Sequence, residues 1–250
     1  MKKTVLLALT ALCTVASGCA MNPIYGRLTD DQKAASYNAE LGTNYLATGD
    51  LEHAQLKLHR ALSQDPDNAL ANNTFGKLLA ELDKPAAAER SFLKSIKLDV
   101  NRAEYRNNYG IFLCDHERSD EAIEQFLKAS ENKFYKTPEF ALDNAGVCAM
   151  DSNKLEEANL HLRAAIRQNP VFAPALLHMA ELKLKTGDAL LADAYYSRFL
   201  TLARQTPQSL YVGINIRRKL GDHSAVDQFA EQLVSAYPRS SQARTYLASQ

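Results

Sequence analysis

Tryptophan is absent, glycine and proline are scarce, and neither sign of charge prevails. The 250 residues hold no Trp, 10 Gly and 8 Pro, and 29 basic side chains balance 29 acidic ones. A chain without a basic field lacks the means to displace phosphate counterions, which excludes a general nucleic-acid binder. So little Gly and Pro excludes collagen-like or long disordered tracts. Beyond the N-terminus no stretch of about 18 uninterrupted apolar residues occurs, so the body of the chain has no membrane-spanning helix. Motifs for metal hydrolysis, serine hydrolysis or nucleotide binding (HExxH, GxSxG, the P-loop, GxGxxG) are missing as well. The six histidines, His53, His59, His116, His161, His178 and His223, show no paired spacing on one helix face and read as exposed or half-buried helix residues. The expectation is a non-enzyme without metal or cofactor.

What is present begins with an address. Lys2 and Lys3 precede an apolar run from Val5 to Val15, too short to cross a bilayer as a helix. Ala16-Ser17-Gly18-Cys19 follows and resembles a bacterial lipobox, with Ala16 where Leu is commonest. The alternative is ordinary signal cleavage that leaves Cys19 near the new terminus. The expected organisation is a signal peptide over 1–18, acylation of Cys19 with palmitate among its chains, and a short tether over 19–34. Ala20 replaces the Asp that commonly retains lipoproteins at the inner membrane, which implies the periplasmic face of the outer membrane.

The body repeats. Gly42, Gly76 and Gly110 are spaced by 34 residues, and Gly146 and Ala180 continue the column. Ala54, Ala88, Ala122, Ala158 and Ala192 form a second column; Leu58, Phe92, Phe126, Leu162 and Tyr196 form a third. Small and large residues thus alternate at i, i+4 and i+7 on a second helix, facing a first helix that carries a small residue at the contact. Gly49-Asp50, Gly187-Asp188 and Gly221-Asp222 fall where the first helix must turn. These residues resemble the tetratricopeptide repeat. The resemblance implies an all-α, right-handed superhelical solenoid of six repeats (35–68, 69–102, 103–136, 139–172, 173–206 and 207–240) and a C-terminal capping helix. The sixth is degenerate, with Gly213 and Ile214 where a large-small pair is expected.

In such an array the first helix of each repeat lines the concave face. Asn73, Lys77, Asn107, Asn108, Ile111, Phe140, Asn144, Val147 and Leu177 fall at groove-facing phases. Asparagine is a mediocre helix former. Its amide both donates and accepts, which matches the backbone of an extended peptide. Bonding within the array is the other explanation for it. Cys114 and Cys148 lie on neighbouring first helices and are candidates for a disulfide or for two buried thiols.

Asn107 to Cys114 (NNYGIFLC), Asn144 to Ala149 (NAGVCA) and the Tyr135–Pro138 turn between them, together with the lipobox, resemble the type IV pilus biogenesis and stability lipoproteins, the PilF/PilW family. That resemblance implies a pilotin: a lipid-anchored adaptor whose partner is an outer-membrane secretin subunit, which it helps to localise and multimerise; a solenoid closed by a solvated cap is separately expected to be a monomer. A general periplasmic scaffold for envelope assembly is the competing expectation.

Overall fold

The computed structural model describes residues 28–249. The signal peptide, Cys19 and the tether as far as residue 27 lie outside the described residues. From Asp30 onward the chain is helical in pairs: α1 (Asp30–Ala47) with α2 (Leu51–Gln64), α3 (Ala69–Glu81) with α4 (Pro85–Leu98), and α5 (Ala103–Asp115) with α6 (Ser119–Ser130). α7 (Pro138–Asp151) pairs with α8 (Leu155–Gln168), α9 (Ala173–Lys185) with α10 (Ala189–Leu200), and α11 (Pro207–Leu220) with α12 (His223–Ala236). α13 (Ser241–Ala248) closes the array. The described residues form an all-α solenoid of six helix pairs with a capping helix.

Residues 30–34, expected in the tether, form the start of α1. Thr29 accepts from the Gln32 amide while the Gln32 side chain returns to the Thr29 amide, a capping box. Asp30 and Asp31 add negative charge at the positive end of the helix. Local chemistry therefore starts the helix before the repeat pattern does.

Within each pair, size complementarity sets the approach. A Cβ placed on Gly42, Gly76, Gly110 or Gly146 would lie 2.6 to 3.0 Å from Leu58, Phe92, Phe126 or Leu162 of the paired helix. Ala180 and Tyr196 belong to one core cluster in the fifth pair. The large partners are fully or almost fully buried, and losing an aromatic of this kind costs about 3–5 kcal/mol. The sixth pair reverses the sizes: Ile214 on α11 packs in the same cluster as Ala230 on α12. Gly213 meanwhile leaves room for the Tyr196 ring of the preceding pair, whose hydroxyl a Cβ would approach to 2.5 Å. The pair called degenerate from its sequence is a pair with its knob and hole exchanged. Ala243 and Tyr246 of α13 cover the end of this cluster.

Curvature follows from which helices touch. Each first helix (α1, α3, α5, α7, α9) approaches the first helix of the next pair with Cα atoms within 8 Å, whereas among the described residues no two second helices bring their backbones that close. The first helices therefore line the inner, concave side and the second helices fan apart outside. All six turns between the paired helices place one residue in the left-handed region: Gly49, Asp83, Glu117, Asn153, Gly187 and Gly221, with φ from 55° to 87°. Among the described residues no helix is long and apolar enough to cross a membrane.

Candidate functional site

The concave face is built of rungs that cross from one first helix to the next. Asn108 on α5 donates Nδ2 to Oδ1 of Asn73 on α3 at 3.2 Å. Asn144 on α7 donates Nδ2 to Oδ1 of Asn107 on α5 at 2.9 Å. One repeat further, Nδ1 of His178 on α9 lies 2.9 Å from Oδ1 of Asp143 on α7. Each rung joins the fifth position of one repeat to the sixth of the next. At the following step Leu177 and Val212 share a core cluster, so the ladder turns apolar. The asparagines thus have work inside the array, and Asn72 is likewise tied to the carbonyls of Pro66 and Asn68.

The rungs divide the residues expected at the groove into groups. Asn73 and Leu177 are buried, at 4% and 8% exposure, and offer a partner little surface. Asn107, Asn108, Asn144 and Val147 are half-buried. Ile111 is 40% exposed, and Lys77 is exposed beside it. Phe140 stands apart: its ring meets Phe172 edge-on at 4.6 Å, at the N-terminal end of α7.

Two small cavities open between the first helices. One, of about 150 Å³, lies between α3 and α5, with Lys77, Glu81, Asn108, Ile111 and Asp115 on its walls and Phe92 beneath. The other, of about 120 Å³, lies between α5 and α7, with Ile111, Asp115, Asn144, Val147 and Asp151 on its walls and Phe126 beneath. The ring below each is the one that the glycine of its pair admits. Cys114 and Cys148 form a disulfide that lines the second cavity, with Cα atoms 5.9 Å apart. It ties α5 to α7 one to two turns further along the helices from the Asn107–Asn144 rung.

The electrostatics of this face are acidic. Burial pushes the Asp115 carboxyl above its ordinary range, and the neighbouring charges of Glu81 and Asp151 push the same way. His178 is held above the ordinary histidine value: burial opposes its charge, but the Asp143 carboxylate and the charges of Glu181 and Asp151 outweigh that. On the side away from the groove, the Tyr109 hydroxyl donates to Glu89 at 2.6 Å. That bond, with help from Arg118, lowers the Glu89 carboxyl. Among the described residues no group of three His, Cys, Asp or Glu side chains could hold a metal ion.

Periodicity placed the asparagines and Ile111 on the inner face, but it missed Glu81, Asp115 and Asp151 as a set. Their shared thirteenth position in successive repeats was the available signal; in a chain rich in surface carboxylates, each alone reads as a solvated charge.

Comparison with known proteins agrees with this architecture. The tetratricopeptide-repeat family model matches residues 73–133. The type IV pilus assembly protein PilF of Pseudomonas aeruginosa is 29% identical over 242 residues, covering 95% of this chain and 96% of its own length. The solved structure of Pseudomonas aeruginosa PilF superposes with a TM-score of 0.73 at 27% identity, covering 89% of this chain and all of that one. The crystal structure of PilW, described as a widely conserved type IV pilus biogenesis factor, gives a TM-score of 0.75 at 28% identity, covering 85% and 98%.

Proposed function

We propose, from the premise that this chain belongs to the PilF/PilW family of tetratricopeptide-repeat proteins, that it is a pilotin: an outer-membrane lipoprotein adaptor that binds secretin subunits and promotes their localisation and multimerisation during type IV pilus biogenesis. The observation that carries the proposal is the end-to-end relation to PilF, 29% identical over 95% of one chain and 96% of the other. A relation confined to the repeats would support the shape alone, because such solenoids serve many partners.

The physical parts fit the task. A solenoid whose inner side is held by rungs and a disulfide is a rigid, non-catalytic surface for part of another chain. Acylation at Cys19 fastens that surface to the periplasmic leaflet of the outer membrane, since buried acyl methylenes contribute about 0.8 kcal/mol each. Anchoring then raises the local concentration of the groove where secretin subunits arrive, so a modest affinity suffices.

The test is a deletion strain scored for secretin in outer-membrane fractions. Loss of multimers with the monomer still present is the expected result. Undiminished multimers would overturn the pilotin role and favour a general scaffold.

A further inference from the structure

The two cavities between α3, α5 and α7 are copies of one socket. Each takes its walls from positions nine, twelve and thirteen of one repeat and positions six, nine, ten and thirteen of the next, with the aromatic of the first repeat as its floor. Ile111 and Asp115 belong to both, as the ridge between them. We propose that these twin sockets receive an extended, basic peptide segment that seats two aliphatic or prolyl side chains three residues apart, with lysine or arginine beside them. The proposal deepens the adaptor reading and rests on it, since it names the chemistry of the partner segment.

Spacing carries the first part. Packed helices lie about 8–10 Å apart, so equivalent points of adjacent sockets are separated by about that distance. In a polyproline-type chain, residues i and i+3 share a face and lie about 9 Å apart. In a β-strand, same-face neighbours at i and i+2 are separated by only about 7 Å. Volume agrees: a space of 120 to 150 Å³ accommodates one side chain of up to about benzene size.

The amides favour an extended ligand over a helical one. Asn108 and Asn144 spend Nδ2 on their rungs, and among the described residues neither Oδ1 accepts a hydrogen bond from another side chain or the backbone. Those oxygens await donors. A polyproline-type chain has free backbone N–H groups wherever its residues are not proline, whereas a helix has consumed nearly all of its own.

Charge carries the last part. Glu81, Asp115 and Asp151 are exposed on the socket rims, and among the described residues none lies within 4.0 Å of a cationic group. Among the described residues Lys77 is the sole cation lining either cavity. A basic segment would relieve the mutual repulsion of these carboxylates; an acidic one would add to it.

The experiment is fluorescence anisotropy of the intact chain in detergent with labelled acetyl-Leu-Lys-Pro-Leu-Lys-Pro-amide, against the same peptide with both lysines replaced by glutamate. The lysine peptide should bind about tenfold more tightly, as several weak charge contacts reverse sign together. Its affinity should fall with salt, with Ile111→Ser plus Val147→Ser, and with Asp115→Asn, a variant that keeps the shape of the side chain. Equal binding of the two peptides, or binding indifferent to these variants in chains of unchanged melting temperature, would overturn the proposal. If no peptide binds while secretin multimers still depend on the protein in cells, the sockets are refuted and the adaptor role stands. If the lysine peptide binds but the deletion strain keeps its multimers, the adaptor role fails and the sockets stand.

Discussion

Repeats one, five and six make the turn between their helices differently from repeats two, three and four. The outer repeats place Gly49, Gly187 and Gly221 at the left-handed position. They follow it with Asp50, Asp188 and Asp222, whose side chains cap the next helix. The middle repeats force Asp83, Glu117 and Asn153 into the same conformation and follow with Lys84, Arg118 and Lys154, none of which makes a side-chain cap. A side chain in the left-handed region costs about 1–2 kcal/mol for a residue such as Glu and less for Asp or Asn, and a missing cap about 1 kcal/mol. The middle repeats are therefore locally poorer.

They recover laterally. Arg118 reaches back to Glu89 of the preceding repeat at 2.8 Å while also holding Glu121. Lys154 reaches Asp120 in the same way. The two asparagine rungs and the disulfide join the same three repeats. Local turn chemistry is poorest in the stretch that the asparagine rungs and the disulfide join, and the sockets occupy that stretch. Departures from local consistency commonly mark functional regions.

The comparison can be broken most strongly at the disulfide. Cys114→Ala with Cys148→Ala removes a link across 34 residues and should destabilise the chain by about 3–4 kcal/mol. Hydrogen exchange should show α5 to α8 opening before α1 and α2. The next largest effect is expected at the rungs. Asn108→Ala with Asn144→Ala leaves the oxygen of buried Asn73 without its donor and should cost about 1–3 kcal/mol by denaturant unfolding, as well as weakening a partner.

Exchanging turn residues sharpens the contrast. Glu117→Gly or Asp83→Gly should each raise stability by about 0.5–1 kcal/mol, whereas Gly187→Glu should lower it by about 1–2 kcal/mol. Equal and opposite shifts near zero would mean that the turns are not where the two regions differ. The smallest effect concerns the last polar rung. Because the folded state raises the pKa of His178, its contribution is complete below the unfolded value and is lost as pH rises through the folded one. The melting-temperature advantage of the native chain over His178→Asn should therefore be larger at pH 5.5 than at pH 8.5.

Much of the fold was legible because a period of 34 with alternating small and large residues admits few packings. Gly110 facing Phe126 is readable as a hole and its knob without coordinates. Repeat six was harder, since the exchange of Ile214 and Ala230 is visible only when both helices are aligned together. The turn at Glu117 was invisible because nothing in that side chain announces a positive φ, whereas Asp83 and Asn153 are of the non-glycine types that enter that region most readily. At the groove, residue type and phase placed Ile111, Val147 and the asparagines on the inner face. Which amide meets which depends on the stagger between repeats, and the pairing of Asn73 with Asn108 rather than with Asn107 follows from packing alone.

The central claim, that repeats two to four present the partner-binding face, is tested most directly by co-purifying the secretin with variants of the intact chain. Ile111→Lys with Val147→Lys should lose the secretin while Leu56→Lys, at a position 62% exposed on α2, retains it, all at the native melting temperature. Retention by the double variant, or equal loss from Leu56→Lys, would contradict the account.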